Sequence, residues 1–166
     1  MNFAKSASER LAYTTDEAPP AAGDPLLNWE GNKPLRPAML WNDTRTERQC
    51  VELAARVPDI AAIACRKPTP GVTASKLAWL RDNEPDVFRR TCKVLLPKDY
   101  IRLMLSGGMA SDMADSSGTM WMDVGRREWS DTLLEATGMR RAQMPDLYEG
   151  TEVTGTLRRE LAQRAA

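Results

Sequence analysis

Apolar residues recur at three- and four-residue intervals along most of the chain beyond Leu26, and this period predicts a mainly helical protein. Capping signals support two of the helices. Ser130 and Gly138 bracket one apolar run, and Pro97 and the Gly107-Gly108 pair bracket another. The predicted helices cover residues 46–57, 60–64, 74–83, 97–106, 131–137 and 156–163, with a short helical turn from residue 85.

The spacing also predicts which side of each helix is buried. In the segment 74–83, Leu77 and Leu80 are expected to face the core, with Lys76 and Arg81 facing solvent. The helix that begins at Pro97 is expected to bury a single apolar face. That face comprises Tyr100, Ile101, Met104 and Leu105.

Short apolar runs bounded by turn residues predict a few strands. Residues 26–29 and 38–41 flank the Gly31-Asn32 turn and indicate a strand–turn–strand unit, and residues 93–96 and 120–122 are strand-like. The fold class is therefore α/β and mainly helical. These few short strands are not enough for a sheet that is stable alone. Their edges are therefore expected to need further strands as partners.

The first 24 residues differ from the rest of the chain. They are rich in Ala, Ser, Thr and Pro and show no apolar periodicity, which is typical of a disordered tail. The domain prediction is therefore an unrelated tail over 1–24 and one partial domain over 25–166.

Composition excludes several classes of partner. Lysine plus arginine and aspartate plus glutamate are both 23, so no net charge attracts nucleic acid or an anionic membrane. Three cysteines without a paired spacing, and a start without an apolar leader, favour free thiols and a cytoplasmic protein. No membrane or nucleic-acid partner is expected.

The chain contains no histidine. This absence removes Ser-His-Asp and Cys-His nucleophilic sites and zinc sites with imidazole ligands. Acid–base chemistry would fall to carboxylates, lysine or tyrosine.

Three ordered segments resemble the FGGY family of carbohydrate kinases. Residues 36–45 (RPAMLWNDTR) are similar to the family's Trp-x-Asp-x-Arg segment, and residues 71–83 (GVTASKLAWLRDN) satisfy its N-terminal-domain signature at every constrained position. The third segment runs from LPKDYIR at 96–102 to SDMADSSGTMWMDV at 111–124. Within the family, these segments and residues 143–155 are most similar to the xylulose kinase branch.

The resemblance implies an actin-like, ribonuclease-H-like ATPase fold, of which this chain would be an incomplete part from the sugar-binding N-terminal domain. Full-length relatives are expected to phosphorylate the pentose sugar D-xylulose, with ATP and Mg²⁺ as cofactors. The glycine-rich phosphate hairpin, a sugar-contacting Met-His pair, the catalytic aspartate and the nucleotide-binding domain of the family have no counterpart in these 166 residues. Hence we expect no catalytic, cofactor-binding or metal-binding residue in this chain, and no kinase activity from it alone.

Two other interpretations remain open at this stage. The chain could be a non-catalytic binding or regulatory module that associates with a full-length kinase through unpaired strands. It could also be a gene remnant without function.

The resemblance implies three substrate-binding residues. Trp41 aligns with a tryptophan that packs against the carbon face of the sugar, although a core tryptophan is an equal alternative. Asp43 could shape the cleft edge through Arg45, or the two could form an exposed ion pair of little consequence. Gly71 would leave room for a longer sugar, although a plain turn after Pro70 explains any single glycine as well.

Two further motifs have plainer interpretations. Lys76 and Trp79 define the signature, but their helical spacing favours packing over ligand contact. The turn 116–119 (SSGT) lacks a recognisable preceding strand and following helix, so it is interpreted as a turn rather than a phosphate site.

Overall fold

The computed structural model describes Leu35, Arg36, Met39 and residues 42–165. The predicted tail over 1–24, the strand–turn–strand unit and Trp41 lie outside the described residues. The helices are α1 (Glu47–Arg56), α2 (Ile60–Ile63), α3 (Thr73–Asn83), α4 (Pro85–Arg90), α5 (Pro97–Ser106), α6 (Met113–Ser117), α7 (Asp131–Thr137) and α8 (Arg159–Ala165), with a 3₁₀ turn at Arg141–Gln143. The strands are β1 (Ala110–Asp112), β2 (Met122–Asp123), β3 (Glu128–Trp129) and β4 (Asp146–Tyr148).

Capping residues fix the ends of the two helices whose boundaries the sequence marks clearly. At the start of α5, the Asp99 carboxylate accepts a hydrogen bond from the Leu96 amide at 3.2 Å, and Gly107 ends the helix at φ 82°. At the start of α7, the Ser130 hydroxyl accepts from the Leu133 amide at 3.4 Å, and Gly138 ends the helix at φ 80°. A positive φ is accessible to glycine without a Cβ clash, so these predicted helix ends are confirmed.

Within the described residues, the strands form two separate two-stranded sheets. β1 and β4 pair in parallel, with Ser111 opposite Leu147, whereas β2 and β3 pair antiparallel, with Met122 opposite Trp129. Residues 93–96 were predicted as a strand, but among them only Leu95 makes a β-bridge and no strand forms. The Val94 amide instead donates to the Gln143 carbonyl at 2.9 Å, which ties this extended segment to the 3₁₀ turn.

Helix α3 lies at the centre of the core. Leu77 and Ala78 are 0% and 2% exposed, and α1, α4 and α7 all contact α3. The apolar residues around it come from α1, α2, α7, the strands and the segments that connect them. The principal members of this core are Leu53, Ile60, Leu77, Leu80, Val94, Met120, Trp121, Met122, Leu133, Leu134 and Met139.

The predicted face of α5 is partly wrong. Leu103 is buried against Leu95, and Tyr100 and Met104 pack around them. Ile101 and Leu105 are 41% and 46% exposed, because α5 contacts the rest of the domain along a narrow stripe that passes through Leu103. In addition, no helix among the described residues has the length and apolar character needed to cross a bilayer.

We expect Leu134→Ala to lower the free energy of unfolding by about 2–5 kcal/mol, because it opens a cavity in a fully buried site. Val51→Ala is the control, since Val51 is 71% exposed on α1 and its loss should change stability by no more than about 0.5 kcal/mol. Urea unfolding followed by far-UV circular dichroism measures both. Equal stability of the two variants would contradict this description of the core.

Candidate functional site

Two loops meet at the first turn of α3. The loop 67–72 leads directly into α3, and the segment 42–46 leads into α1. The Thr46 hydroxyl, fully buried, lies 3.1 Å from the Pro70 carbonyl oxygen and 3.0 Å from the Ser75 hydroxyl. Ser75 in turn donates to the Val72 carbonyl at 3.0 Å. These hydroxyls therefore join the two loops to each other and to the helix.

Lys76 extends this junction and corrects a prediction. Its side chain was expected to face solvent, but the residue is 1% exposed. Its Nζ atom donates to the Gly71 carbonyl at 3.1 Å and to the Met39 carbonyl at 3.4 Å. The ammonium points into the gap between the two loops because their backbone carbonyls converge there, and amphipathic periodicity carries no information about such acceptors.

Burial makes the charged form of Lys76 less favourable. It lowers the pKa of Lys76 to about 8, and the nearby negative charge of Asp43 partly opposes that shift. The interaction is mutual, since the Lys76 charge also contributes to the lowered pKa of Asp43. Asp43 and Lys76 are therefore electrostatically linked.

Asp43 is held mainly by Arg45. The Arg45 Nε atom donates to Asp43 Oδ1 at 2.9 Å, and a terminal guanidinium nitrogen lies 2.9 Å from Oδ2. This hydrogen bonding lowers the pKa of Asp43, so the carboxylate is ionised at neutral pH. The guanidinium carbon of Arg45 also lies 5.0 Å from the centre of the Trp79 ring, a cation–π contact.

The structure thus brings two of the three predicted substrate-binding residues to one place. Asp43 and Gly71 belong to different loops, and Lys76 contacts the Gly71 carbonyl while its charge acts on Asp43. The third, Trp41, lies outside the described residues, between Met39 and Asp43 in the chain. A carboxylate acceptor and a half-buried glycine on the neighbouring loop are groups that suit a polyhydroxylated ligand.

Lys76 is the residue that sequence reasoning assigned to the wrong environment. The signal that could have identified it is its position in the first turn of α3, four residues after Val72. There its stem runs back over the preceding loop, because helical side chains tilt toward the N-terminus.

A second charged cluster surrounds Lys98 and does not resemble a ligand site. The ammonium of Lys98 lies 2.5 Å from Asp99, 2.8 Å from Asp112 and 3.6 Å from Asp115. Burial alone would lower the pKa of Lys98, but its bonds to Asp112 and Asp99 raise it overall. Among the described residues, no three Asp, Glu or Cys side chains are arranged to hold a metal ion.

A surface cavity of about 250 Å³ borders this second cluster. Arg102, on its wall, donates to the Thr154 hydroxyl at 2.9 Å and to the Gly108 carbonyl at 2.8 Å. The cationic residues that line this cavity, Lys98 and Arg102, are thus engaged in internal bonds. Asp43, Gly71 and Lys76 do not line the cavity.

The turn 116–119 has a different setting from the one expected. Strand β1 does precede it, and Ser116 and Ser117 form the end of α6 rather than its start. The first turn of α6 is occupied by the carboxylate of Asp112, which accepts from the Asp115 amide at 2.8 Å. A carboxylate in that position repels phosphate, so these residues do not fit the phosphates of a nucleotide.

We expect the free energy of unfolding of the wild-type chain, minus that of Lys76→Met, to increase with pH between about 8 and 10.4. In this window the unfolded chain keeps the Lys76 proton and the folded chain releases it, because the folded pKa is about 8. The free energy of unfolding of the wild type therefore rises with pH relative to the variant, which has no such proton. Urea unfolding of both proteins at two pH values within the window measures the difference, and a constant difference would contradict the burial of the ammonium.

Comparisons with known proteins agree with the motifs. The family model described as the N-terminal domain of the FGGY family of carbohydrate kinases matches residues 23–166. The xylulose kinase of Escherichia coli (strain K12) is 54% identical over 129 residues, which cover 78% of this chain and 27% of that protein. The xylulose kinase of Klebsiella pneumoniae is 51% identical over the same shares.

A solved structure gives the same result in three dimensions. A "xyloylose kinase" from Brucella ovis superimposes with a TM-score of 0.82 at 46% identity, covering 95% of this chain and 30% of that one. This confirms the predicted fold class, a mainly helical α/β part of the N-terminal domain of an actin-like sugar kinase.

The chain spans only about a quarter of the length of these curated relatives, 27% for each of the two xylulose kinases. The matched part nevertheless includes both loops of the site described above and the helix that joins them. The chain belongs to the FGGY family of carbohydrate kinases.

Proposed function

We propose that this chain provides the sugar-binding wall of a xylulokinase-like carbohydrate kinase and that it binds D-xylulose at Trp41, Asp43 and Gly71. The observation that carries the proposal is the convergence of the Asp43 segment and the Gly71 loop on Lys76, in a chain 54% identical to a xylulose kinase. Each residue has a distinct chemical part in this wall.

The ionised carboxylate of Asp43 accepts hydrogen bonds from sugar hydroxyls, and Arg45 keeps it charged and oriented. Gly71 has no Cβ, so the chain of a five-carbon sugar can approach its backbone closely. The indole of Trp41 covers the weakly apolar C–H face of the sugar, and its N–H group remains able to donate.

Phosphoryl transfer lies outside what this chain does alone. Catalysis of that reaction needs groups that hold the phosphates, a metal ion and a base that positions the attacking hydroxyl. The resemblance to the family assigns the phosphate hairpin and the catalytic aspartate to segments that have no counterpart in this sequence. We infer that ATP and Mg²⁺ bind elsewhere in a full-length enzyme, where the phosphoryl group would be supplied.

Thermal unfolding of the chain with and without D-xylulose tests the binding proposal. At a sugar concentration about ten times Kd, binding should raise the free energy of unfolding by about 1.4 kcal/mol, and hence the Tm by roughly 3–5 °C. Asp43→Asn should abolish the shift, because the amide loses the charged acceptor. Asp59→Asn is the matched control, since Asp59 is an exposed carboxylate in a different loop.

An unchanged Tm of the wild-type chain up to high millimolar D-xylulose would refute binding. Loss of the shift in both variants would refute the part given to Asp43. Release of ADP from ATP that depends on D-xylulose would refute the proposed inactivity of the chain alone.

One observation favours a second candidate, a module that associates with a full-length kinase. The parallel pair β1–β4 is small for a parallel sheet, which usually has more strands and helices on both faces. Ile101, Leu105 and Leu157 are 41%, 46% and 47% exposed along a neighbouring groove. Co-elution with a full-length xylulose kinase in size-exclusion chromatography, lost in Leu105→Glu, would support this candidate, and separate elution would exclude it.

A further inference from the structure

The first turn of α3 holds the two loops of the proposed sugar wall through a set of hydrogen bonds to backbone carbonyls. Lys76 reaches the carbonyls of Met39 and Gly71, and Ser75 reaches that of Val72. Met39 lies two residues before Trp41 and four before Asp43 in the chain. One ammonium is therefore bound to both segments that carry the proposed sugar contacts.

A lysine is an unfavourable choice for a position that needs only to fill space. Moving an ammonium out of water is strongly unfavourable, and an apolar side chain of similar length would pack in the same volume without that penalty. The ammonium is thus explained by its donors, which the converging carbonyls require, rather than by packing.

The chemistry of the ammonium suits this place. It offers three donors at the end of a flexible stem, so it can bind carbonyls that approach from different directions. The negative charge of Asp43, which lies on one of the two segments that Lys76 holds, favours the charged form of the ammonium. Neither the hydroxyl of Thr46 nor that of Ser75 carries a charge that could act on Asp43.

We propose that Lys76 is a positioning residue for sugar binding: its buried ammonium fixes the backbone at Met39 relative to the loop at Gly71, at the separation that the sugar requires. This inference rests on the proposed function, because it assigns Lys76 to the same wall. Lys76 itself does not touch the sugar. It acts through the backbone of the residues that do.

Lys76→Met tests the proposal, because methionine keeps the stem up to Cε and removes only the ammonium. The affinity for D-xylulose, measured by isothermal titration calorimetry, should fall by about tenfold or more, since a buried and a half-buried carbonyl lose a donor and the wall loosens. Leu80→Val is the matched control. Leu80 is a buried residue of the same helix that contacts neither loop through a hydrogen bond, so its variant should lose stability and keep the affinity of the wild type.

Amide hydrogen exchange provides a readout that does not depend on the sugar. In Lys76→Met, peptides covering residues 42–50 and 69–74 should exchange faster by about tenfold. Peptides from α7 should exchange as in the wild type. Leu80→Val lowers the stability of the whole domain. Once exchange rates are corrected for that loss, the peptides of both loops should be as protected as in the wild type.

The two measurements separate the possible failures. Wild-type affinity in Lys76→Met, or equal loss of affinity in both variants, would overturn the positioning role, because general destabilisation would then account for the effect. Unchanged exchange of the two loops in Lys76→Met would also overturn it. Absence of D-xylulose binding by the wild-type chain would overturn the proposed function instead, and the exchange comparison would still decide whether Lys76 fixes the two loops.

Discussion

Two loops of this domain can meet only if the backbone carbonyls that they bring together find donors. Peptide carbonyls that converge in a buried place repel one another and lose their water, so a bare junction of this kind would be unstable. Helix α3 supplies the donors from successive residues, with the hydroxyl of Ser75 and the ammonium of Lys76, and α1 adds Thr46 at its N-cap position. The position of the candidate site depends on this junction.

The same helix also builds the core. Leu77, Ala78 and Leu80 pack against α1, α4 and α7, directly after the turn that holds the loops. A displacement of α3 would therefore move the loops together with the core, and a change in the loops reaches the core through a single helical turn. The candidate site and the hydrophobic core are consequently mechanically connected, although their chemistry is different.

Local sequence signals were sufficient to predict the positions of most helices. Proline at the start of α5, serine at the start of α7 and a glycine after each helix act within a few residues, so their effects can be predicted without knowledge of the fold. Strands β1 and β4 were missed because each has three residues, which is too short for an alternating pattern. Their pairing joins segments far apart in the chain, and such pairing leaves no local trace.

The candidate site was predictable to a similar extent. The Asp43–Arg45 pair follows from close spacing, and the resemblance to the family pointed to Gly71. The environment of Lys76 did not follow, because its charge favoured solvent while its spacing from Trp79 favoured packing. The acceptors that bury it come from a loop and from Met39. Ile101 and Leu105 were misplaced for a related reason, since periodicity marks an apolar face without showing how much of it a small domain can cover.

The bonds from Lys76 to residues 39 and 71 end on main-chain oxygens, and every amino acid has one. Replacing Gly71 with another residue changes the surface of the proposed sugar wall but leaves the acceptor for the ammonium in place, provided that the backbone keeps its path. The junction therefore tolerates variation at a position to which the proposal gives a sugar contact. If the proposed function holds, relatives can differ at residue 71, and so in substrate preference, while the bond from Lys76 to the carbonyl of that residue stays the same.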